Sequence, residues 1–101
     1  MDLNLINKLV LVTGSSRGIG AGIAEGFLKE GASVILVSRG SKDLSQTTNR
    51  LIKEYSKENV FIEKCDCSLR KDLNLMKSRI IKKFGKLDIL VANVGSGSSV
   101  P

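Results

Sequence analysis

The chain has 101 residues, which is enough for one small domain and too few for two. Its net charge is +6, but the basic residues are spread over three predicted helices without interleaved aromatic residues, so a nucleic-acid partner is not expected. No apolar run approaches the roughly 18 residues that span a bilayer, and the N-terminus lacks a secretory signal, so we expect a cytoplasmic protein without a membrane partner. No metal site is expected, because the sequence has no histidine and only two cysteines, Cys65 and Cys67.

The first predicted elements are a strand over residues 8–13 and a helix over about residues 18–30. The strand is apolar on both faces, which is typical of a parallel strand covered by helices on both sides. Apolar residues recur along the helix at i, i+4 and i+8, and these are Ile19, Ile23 and Phe27, with Ala24 and Leu28 widening the predicted buried stripe. We interpret Gly22 and Gly26 as points where this helix packs closely onto the sheet.

Three more strands and two more helices alternate along the rest of the chain. The strands are predicted over residues 33–38, 60–66 and 87–92. A helix that Ser41 caps lies between the first two of these strands, and its buried face is predicted to be Leu44, Thr48, Leu51, Ile52 and Tyr55. A helix that Ser68 caps follows, with an apolar stripe of Leu69, Leu73, Met76, Ile80 and Phe84.

The element order βαβαβαβ predicts an α/β fold with a doubly wound parallel sheet, since crossovers between parallel strands are right-handed. In such a Rossmann-type sheet the strands lie in the order 3-2-1-4, and the ligand crevice opens at their C-terminal ends between strands 1 and 4. We expect residues 1–101 to form a single domain that is incomplete at its C-terminus. The reason is that strand 4 is apolar on both faces, yet nothing in this sequence follows to pair with it or cover it.

A glycine-rich stretch joins the first strand to the first helix, and it indicates a phosphate-binding turn. A helix N-terminus attracts phosphate, and glycines allow positive φ and close approach to the backbone. The pattern T-G-x-x-x-G-x-G is built from Thr13, Gly14, Gly18 and Gly20, whereas the P-loop and G-x-G-x-x-G patterns are absent. The alternative is that the glycines only end a strand. The candidate contacts are Gly14, Ser15, Ser16, Arg17, Gly18, Ile19 and Gly20.

The end of the second strand predicts which nucleotide binds. NAD-preferring sites usually carry an acidic residue there, which bonds the ribose 2′-OH. This sequence has no acidic residue between Gly31 and Lys42, and Ser38 and Arg39 occupy the position instead. A guanidinium can bond a 2′-phosphate, and Arg17 could approach the same group, so we expect NADP as the cofactor. The alternative is that both arginines are merely solvated.

The glycine pattern resembles the nucleotide-binding signature of the short-chain dehydrogenase/reductase family, and later residues extend the resemblance. Asp66, followed by Cys67, matches the aspartate that contacts adenine in that family. Residues 87–91 look like its L-D-x-L-V run. Asn93, Val94 and Gly95 with Ala92 resemble its N-N-A-G motif, which lines the cofactor pocket beside the ribose. Ala92 and Val94 depart from that motif.

The resemblance implies an oxidoreductase that transfers hydride between NADP(H) and a small carbonyl or alcohol substrate, and a homo-oligomer at full length. The family's proton donor is a tyrosine in Y-x-x-x-K, but Tyr55 is followed four residues later by Asn59. We therefore assign no catalytic residue here and expect the catalytic residues beyond Pro101. The chain alone is expected to be inactive. The alternatives are a non-catalytic nucleotide-binding or regulatory module and an inactive fragment.

Overall fold

The computed structural model describes residues 5–14, 18–40 and 42–92. Strands and helices alternate through these ranges. The elements are β1 (Leu9–Thr13), α1 (Gly18–Lys29), β2 (Ser33–Ser38), α2 (Lys42–Glu54), β3 (Val60–Lys64), α3 (Arg70–Phe84) and β4 (Ile89–Val91). The alternation predicted from the sequence is confirmed, although β4 is shorter at both ends than predicted.

The four strands form one parallel sheet in the order β3-β2-β1-β4. The sequence prediction of this order is confirmed. In the register, Thr13 pairs with Val37, Val12 with Val91, and Ser38 with Lys64. The C-terminal ends of all four strands are therefore aligned, and we call this side of the sheet the C-terminal edge.

Helices cover both faces of the sheet, because alternate residues of a strand point to opposite faces. One face packs against α1 and α2, and this α1–α2 layer contains Val10, Val12, Val34, Leu36, Ala24, Leu28, Leu44 and Leu51. The other face packs against α3, and this α3 layer contains Leu9, Leu11, Ile35, Val37, Cys65, Met76 and Ile80. The continuous apolar runs of β1 and β2 are thus buried on both faces, as predicted.

The face that α1 buries agrees with the prediction at Ala24 and Leu28 and differs from it elsewhere. Its buried residues are Gly20, Ala21, Ala24 and Leu28. Ile19 is 76% exposed, and Ile23 and Phe27 are only partly buried. Gly22 and Gly26 are exposed with open space around them, so their predicted close packing onto the sheet is wrong. Small residues approach the sheet most closely, and the larger side chains of the predicted stripe lie to one side of that contact.

The predicted face of α2 is confirmed for Leu44, Thr48 and Leu51, which are buried. The α2 N-cap prediction for Ser41 falls outside the described residues. In α3, Met76 and Ile80 are buried as predicted, and the helix ends at Gly85 in a left-handed conformation.

The residue that precedes α3 is Leu69, which makes no side-chain capping bond, so the prediction that Ser68 caps α3 is wrong. Leu69 is also 51% exposed, so it does not belong to the buried stripe. The Ser68 hydroxyl instead donates a hydrogen bond to Asp66 Oδ1 at 2.6 Å. A capping serine would accept a hydrogen bond from an N–H of the first helical turn, but Ser68 lies one residue before the cap position and its hydroxyl bonds back to Asp66.

Candidate dinucleotide-binding site

The residues singled out by sequence follow the C-terminal ends of separate strands. Gly14 follows β1, Ser38 and Arg39 lie at the end of β2, and Asp66 comes two residues after β3. Because the strands are parallel and in register, these residues lie along the same C-terminal edge. The helices α1, α2 and α3 begin at this edge too, since each directly follows a strand. Those predicted site residues that the structure describes therefore lie at one edge of the sheet, as the sequence predicted.

Gly14 and Gly18, the two described glycines on either side of residues 15–17, have the positive φ that the glycine pattern predicts. Gly14 has φ of 61° and Gly18 has φ of 64°, a region that other residues rarely adopt. The first turn of α1 contains no acidic residue that would offset the positive end of the helix dipole. Gly20 is buried within that first turn. The positive end of the helix dipole therefore favours a phosphate group at this N-terminus.

Six of the predicted contacts lie outside the described residues. They are Ser15, Ser16 and Arg17 in the glycine-rich turn, and Asn93, Val94 and Gly95 after β4. The assignments of these residues stay predictions.

At the end of β2, the backbone bends sharply after Ser38. The Ser38 hydroxyl accepts a hydrogen bond from the Gly40 N–H at 3.3 Å, which is a local turn contact. Arg39 is exposed and forms no ion pair within the described ranges. Its guanidinium is therefore available to an anionic ligand at the C-terminal edge.

At the end of β3, Asp66 is held by a short turn. Its Oδ1 atom accepts hydrogen bonds from the Ser68 N–H at 3.0 Å and from the Ser68 hydroxyl. These two bonds, with a smaller contribution from the positive charge of Arg39, hold the pKa of Asp66 below its ordinary value. An ionised carboxylate fixed in this way can accept a hydrogen bond from an amino group of a base through Oδ2, which takes part in neither bond.

The two thiols lie beside this turn, on the α3 layer. Cys65 is buried and Cys67 is half-buried, and both are free. Burial, and then the neighbouring Cys67, raise the pKa of Cys65 to about 11, so its thiol stays protonated and unreactive near neutral pH. Within the described residues, no group of three or more His, Cys, Asp or Glu side chains could hold a metal ion.

A cavity of about 400 Å³ opens at this end of β3. It is lined by Arg39, Lys64, Cys65, Asp66 and Asp72. Its volume is in the range of sites for small ligands. Lys64 and Asp72 were not predicted from the sequence. The position of Lys64 near the end of the predicted third strand, and that of Asp72 in the first turn of the following helix, could have placed both near Asp66. A second cavity, of about 310 Å³, lies across β3 among mainly apolar residues, away from the glycine-rich turn.

Tyr55 lies far from this cavity, because α2 ends just before β3 begins and so reaches the opposite edge of the sheet. Its hydroxyl donates a hydrogen bond to Glu25 Oε2 at 3.0 Å. Desolvation, and then the Glu25 carboxylate, raise the pKa of Tyr55 to about 12. That Tyr55 is not the proton donor stays a prediction. No helix among the described residues has the length and apolar character needed to cross a membrane.

Comparison with known proteins assigns this chain to a family. The sequence profile of the family described as short chain dehydrogenase matches residues 8–101. The Dictyostelium discoideum protein called Dehydrogenase/reductase SDR family protein 7-like is 37% identical over 97 residues, which are 93% of this chain and 31% of that protein. An Escherichia coli protein called Cyclic-di-GMP-binding biofilm dispersal mediator protein is 40% identical over 90 residues, which are 89% of this chain and 34% of that protein.

Solved structures of reductases also match this chain. The crystal structure of L-sorbose reductase from Gluconobacter frateurii, complexed with NADPH and L-sorbose, matches with a TM-score of 0.88 and 37% identity. The match covers 97% of this chain and 37% of the reductase. The present chain thus spans about a third of the length of the proteins it matches.

Proposed function

Because this chain belongs to the short-chain dehydrogenase family, we propose that it is the cofactor-binding part of an NADP-dependent oxidoreductase. The full-length enzyme would transfer a hydride between NADP(H) and a small carbonyl or alcohol substrate. The observation that carries the proposal is the alignment of Gly14, Arg39 and Asp66 at the ends of three adjacent parallel strands. A dinucleotide has a diphosphate, a ribose and an adenine that need contacts at separate points along such an edge.

Each described residue has a role in this proposal that follows from its chemistry. The turn from Gly14 to Gly18, with the start of α1, binds the diphosphate through backbone N–H groups. Arg39 binds the 2′-phosphate by charge-assisted hydrogen bonds. Asp66 orients the adenine by accepting a hydrogen bond from its amino group. The bound cofactor supplies the hydride donor or acceptor, and the chain's contribution is binding and orientation.

We assign the remaining predicted contacts in the same way. Ser15, Ser16 and Arg17 complete the phosphate turn, Ser38 lies beside the 2′-phosphate, and Cys67 lies beside the adenine. Asn93 to Gly95 line the ribose on the nicotinamide side. The proton donor belongs to sequence beyond residue 101, since the one tyrosine of this chain lies at the opposite edge of the sheet.

A second candidate function is that of a regulator that binds a nucleotide at the same phosphate turn and catalyses no reaction. It is favoured by the similarity to the Escherichia coli protein whose name describes binding of cyclic-di-GMP. That ligand also carries phosphates and purine bases, so the same C-terminal edge suits both candidates. They differ in whether a tyrosine-lysine pair follows in the complete polypeptide.

The test uses the full-length protein that contains this chain. We expect NADPH-dependent reduction of at least some members of a panel of ketones, aldehydes and sugars, with slower turnover when NADH replaces NADPH. A Y-x-x-x-K sequence after residue 101 should accompany that activity. Binding of NADPH without turnover, in a protein that lacks this motif, would support the regulator. A protein that binds neither dinucleotide would contradict the proposal.

The proposal extends to a cytoplasmic location and to a homo-oligomer, both by resemblance to the family. Light scattering on the purified full-length protein tests the assembly, and a fluorescent fusion tests the location. A monomer at micromolar concentration, or a fusion found outside the cytoplasm, would contradict these two points without affecting the cofactor assignment.

A further inference from the structure

Lys64 is brought to the candidate site by the register of β3 against β2. It is the last residue of β3, and its Cα pairs with that of Ser38, the last residue of β2. Side chains alternate along a strand, and the preceding Glu63 bonds Arg79 of α3. The Lys64 side chain therefore lies on the other face of β3, which is the face that packs against the α1–α2 layer. Ser38 shares that face, since Val34 and Leu36 of its strand lie in the same layer.

The cavity at the end of β3 is lined by side chains of both charges, and we call the two basic ones the basic wall and the two acidic ones the acidic wall. Arg39 and Lys64 supply the basic wall, and Asp66 and Asp72 supply the acidic one. Asp72 belongs to the first turn of α3, so the acidic wall lies towards the α3 layer. A ligand with a phosphate at one end and an amino group at the other would match both walls.

Neither cation of the basic wall is neutralised by a direct ion pair within the described ranges. Three other basic side chains, Arg50, Arg79 and Lys86, are each bound to a carboxylate. Of the two acids nearest to Lys64 along the chain, Glu63 is bonded to Arg79, and Asp66 accepts hydrogen bonds from Ser68 through Oδ1. The positive charge of Lys64 is thus left for a ligand in the cavity.

We propose that Lys64 is a further cation for the 2′-phosphate of NADP(H), in addition to Arg39 and the predicted Arg17, and that it helps to select NADP over NAD. This assignment rests on the proposed function. A 2′-phosphate carries close to two negative charges, so an ammonium group that lines the same cavity as Arg39 adds to the attraction for it. Arg39 supplies a planar guanidinium with several donors, and Lys64 supplies a point charge on a flexible side chain. The acidic wall repels the phosphate towards Arg39 and Lys64, and it attracts the adenine amino group towards Asp66 and Asp72.

The competing explanation is that Lys64 is a solvated lysine on an edge strand, where positive charge discourages pairing with other chains. That role needs no nucleotide, so it predicts no difference between NADP and NAD. The two explanations are therefore separated by measuring affinity for a pair of ligands that differ only in the 2′-phosphate.

The experiment measures dissociation constants of NADP+ and NAD+ by calorimetry for the full-length protein and for its Lys64→Gln and Lys57→Gln variants. Lys57 is the matched control, an exposed lysine before the N-terminal end of the same strand. We expect Lys64→Gln to weaken NADP+ binding about fivefold and to leave NAD+ binding unchanged. Lys57→Gln should change neither constant, and Lys64→Arg should keep the preference.

The outcomes distinguish this assignment from the proposed function. Unchanged NAD+ affinity in Lys64→Gln also shows that the variant is folded. If the unmodified protein prefers NADP+ and Lys64→Gln keeps the full preference, the assignment of Lys64 is wrong and the proposed function stands. If the unmodified protein binds neither nucleotide, or binds both equally, the cofactor proposal is wrong and the assignment of Lys64 is wrong with it.

Discussion

Asp88 accepts a hydrogen bond from the backbone N–H of Leu9 through Oδ2, over 2.8 Å, and this bond joins the segment before β4 to the first residue of β1. The Asp88 N–H in turn donates to the Leu9 carbonyl over 3.0 Å, and Lys86 Nζ lies 3.1 Å from the same carboxylate oxygen. These contacts lie at the edge of the sheet opposite the candidate site. They fix β4 against β1, the two strands whose C-terminal ends flank the expected crevice.

The first prediction concerns pH and Asp88. The Leu9 N–H and the Lys86 ammonium lower the pKa of Asp88 from its ordinary value of 3.8. A lowered pKa in the folded state means that the charged carboxylate stabilises the fold above pH 3.8, and that this stabilisation is lost as the pH falls through the folded-state value. Asp88→Asn should therefore unfold at lower urea concentration than the unmodified protein near neutral pH.

The difference between the two proteins should shrink as the pH is lowered to about 3. Glu58→Gln, in the exposed turn before β3, is the control and should leave the neutral-pH midpoint unchanged. A gap between Asp88→Asn and the unmodified protein that stays constant over the whole pH range would show that the charge of Asp88 is unimportant.

The second prediction concerns the effect on stability of replacing three glycines by alanine. Gly22 and Gly26 lie in α1 with no atom within 4 Å of an added Cβ, so alanine should stabilise the helix by about 0.5–1 kcal/mol at each position. Gly31 has φ of 94°, and an added Cβ would lie 2.9 Å from Ile6 Cγ1. Gly31→Ala should therefore lower the free energy of unfolding, by about 1 kcal/mol or more.

Urea unfolding of the three single variants checks these opposite signs. Gly31→Ala serves as the control for a general effect of alanine, because it makes the same chemical change in a different backbone conformation. A loss of stability for Gly22→Ala and Gly26→Ala would mean that the exposed side of α1 has been assigned wrongly.

The third prediction concerns Tyr55, the one tyrosine of the chain. Its hydroxyl is bonded to Glu25, and the same carboxylate accepts a bond from Arg50, so these side chains join α1 to α2 away from the candidate site. Tyr55→Phe should lower the stability of the full-length protein while leaving kcat for NADPH-dependent reduction within about twofold. Steady-state kinetics below the unfolding temperature measure this, and a loss of kcat by orders of magnitude would contradict the placement of catalysis beyond residue 101.

The fourth prediction concerns the charge of Arg39. Arg39→Asp should weaken NADP+ binding at least tenfold, because the new carboxylate repels the 2′-phosphate, and it should strengthen NAD+ binding by accepting a bond from the ribose 2′-OH. Lys53→Asp, an exposed lysine in the last turn of α2, makes the same charge change at the opposite edge of the sheet. Equal shifts for both variants would indicate a general electrostatic effect with no contact at Arg39.

The sequence predicted the order of elements and strands because these depend on apolar runs and on the handedness of the crossovers. The prediction that Ile19 is buried was wrong. Periodicity indicated roughly which side of α1 faces the sheet, but it did not indicate which residues on that side lie closest to the sheet. The prediction also failed at Ser68, whose hydroxyl bonds back to Asp66. Lys64 and Asp72 were missed because no motif contains them, and only the register of β3 and the start of α3 bring them to Asp66.

The most direct test of the central claim is a crystal structure of the full-length protein with NADP(H) bound. We expect the diphosphate against the turn from Gly14 to Gly18, the 2′-phosphate within hydrogen-bond distance of Arg39, and the adenine beside Asp66. A dinucleotide bound elsewhere, or a C-terminal edge that stays empty at saturating NADP(H), would contradict it.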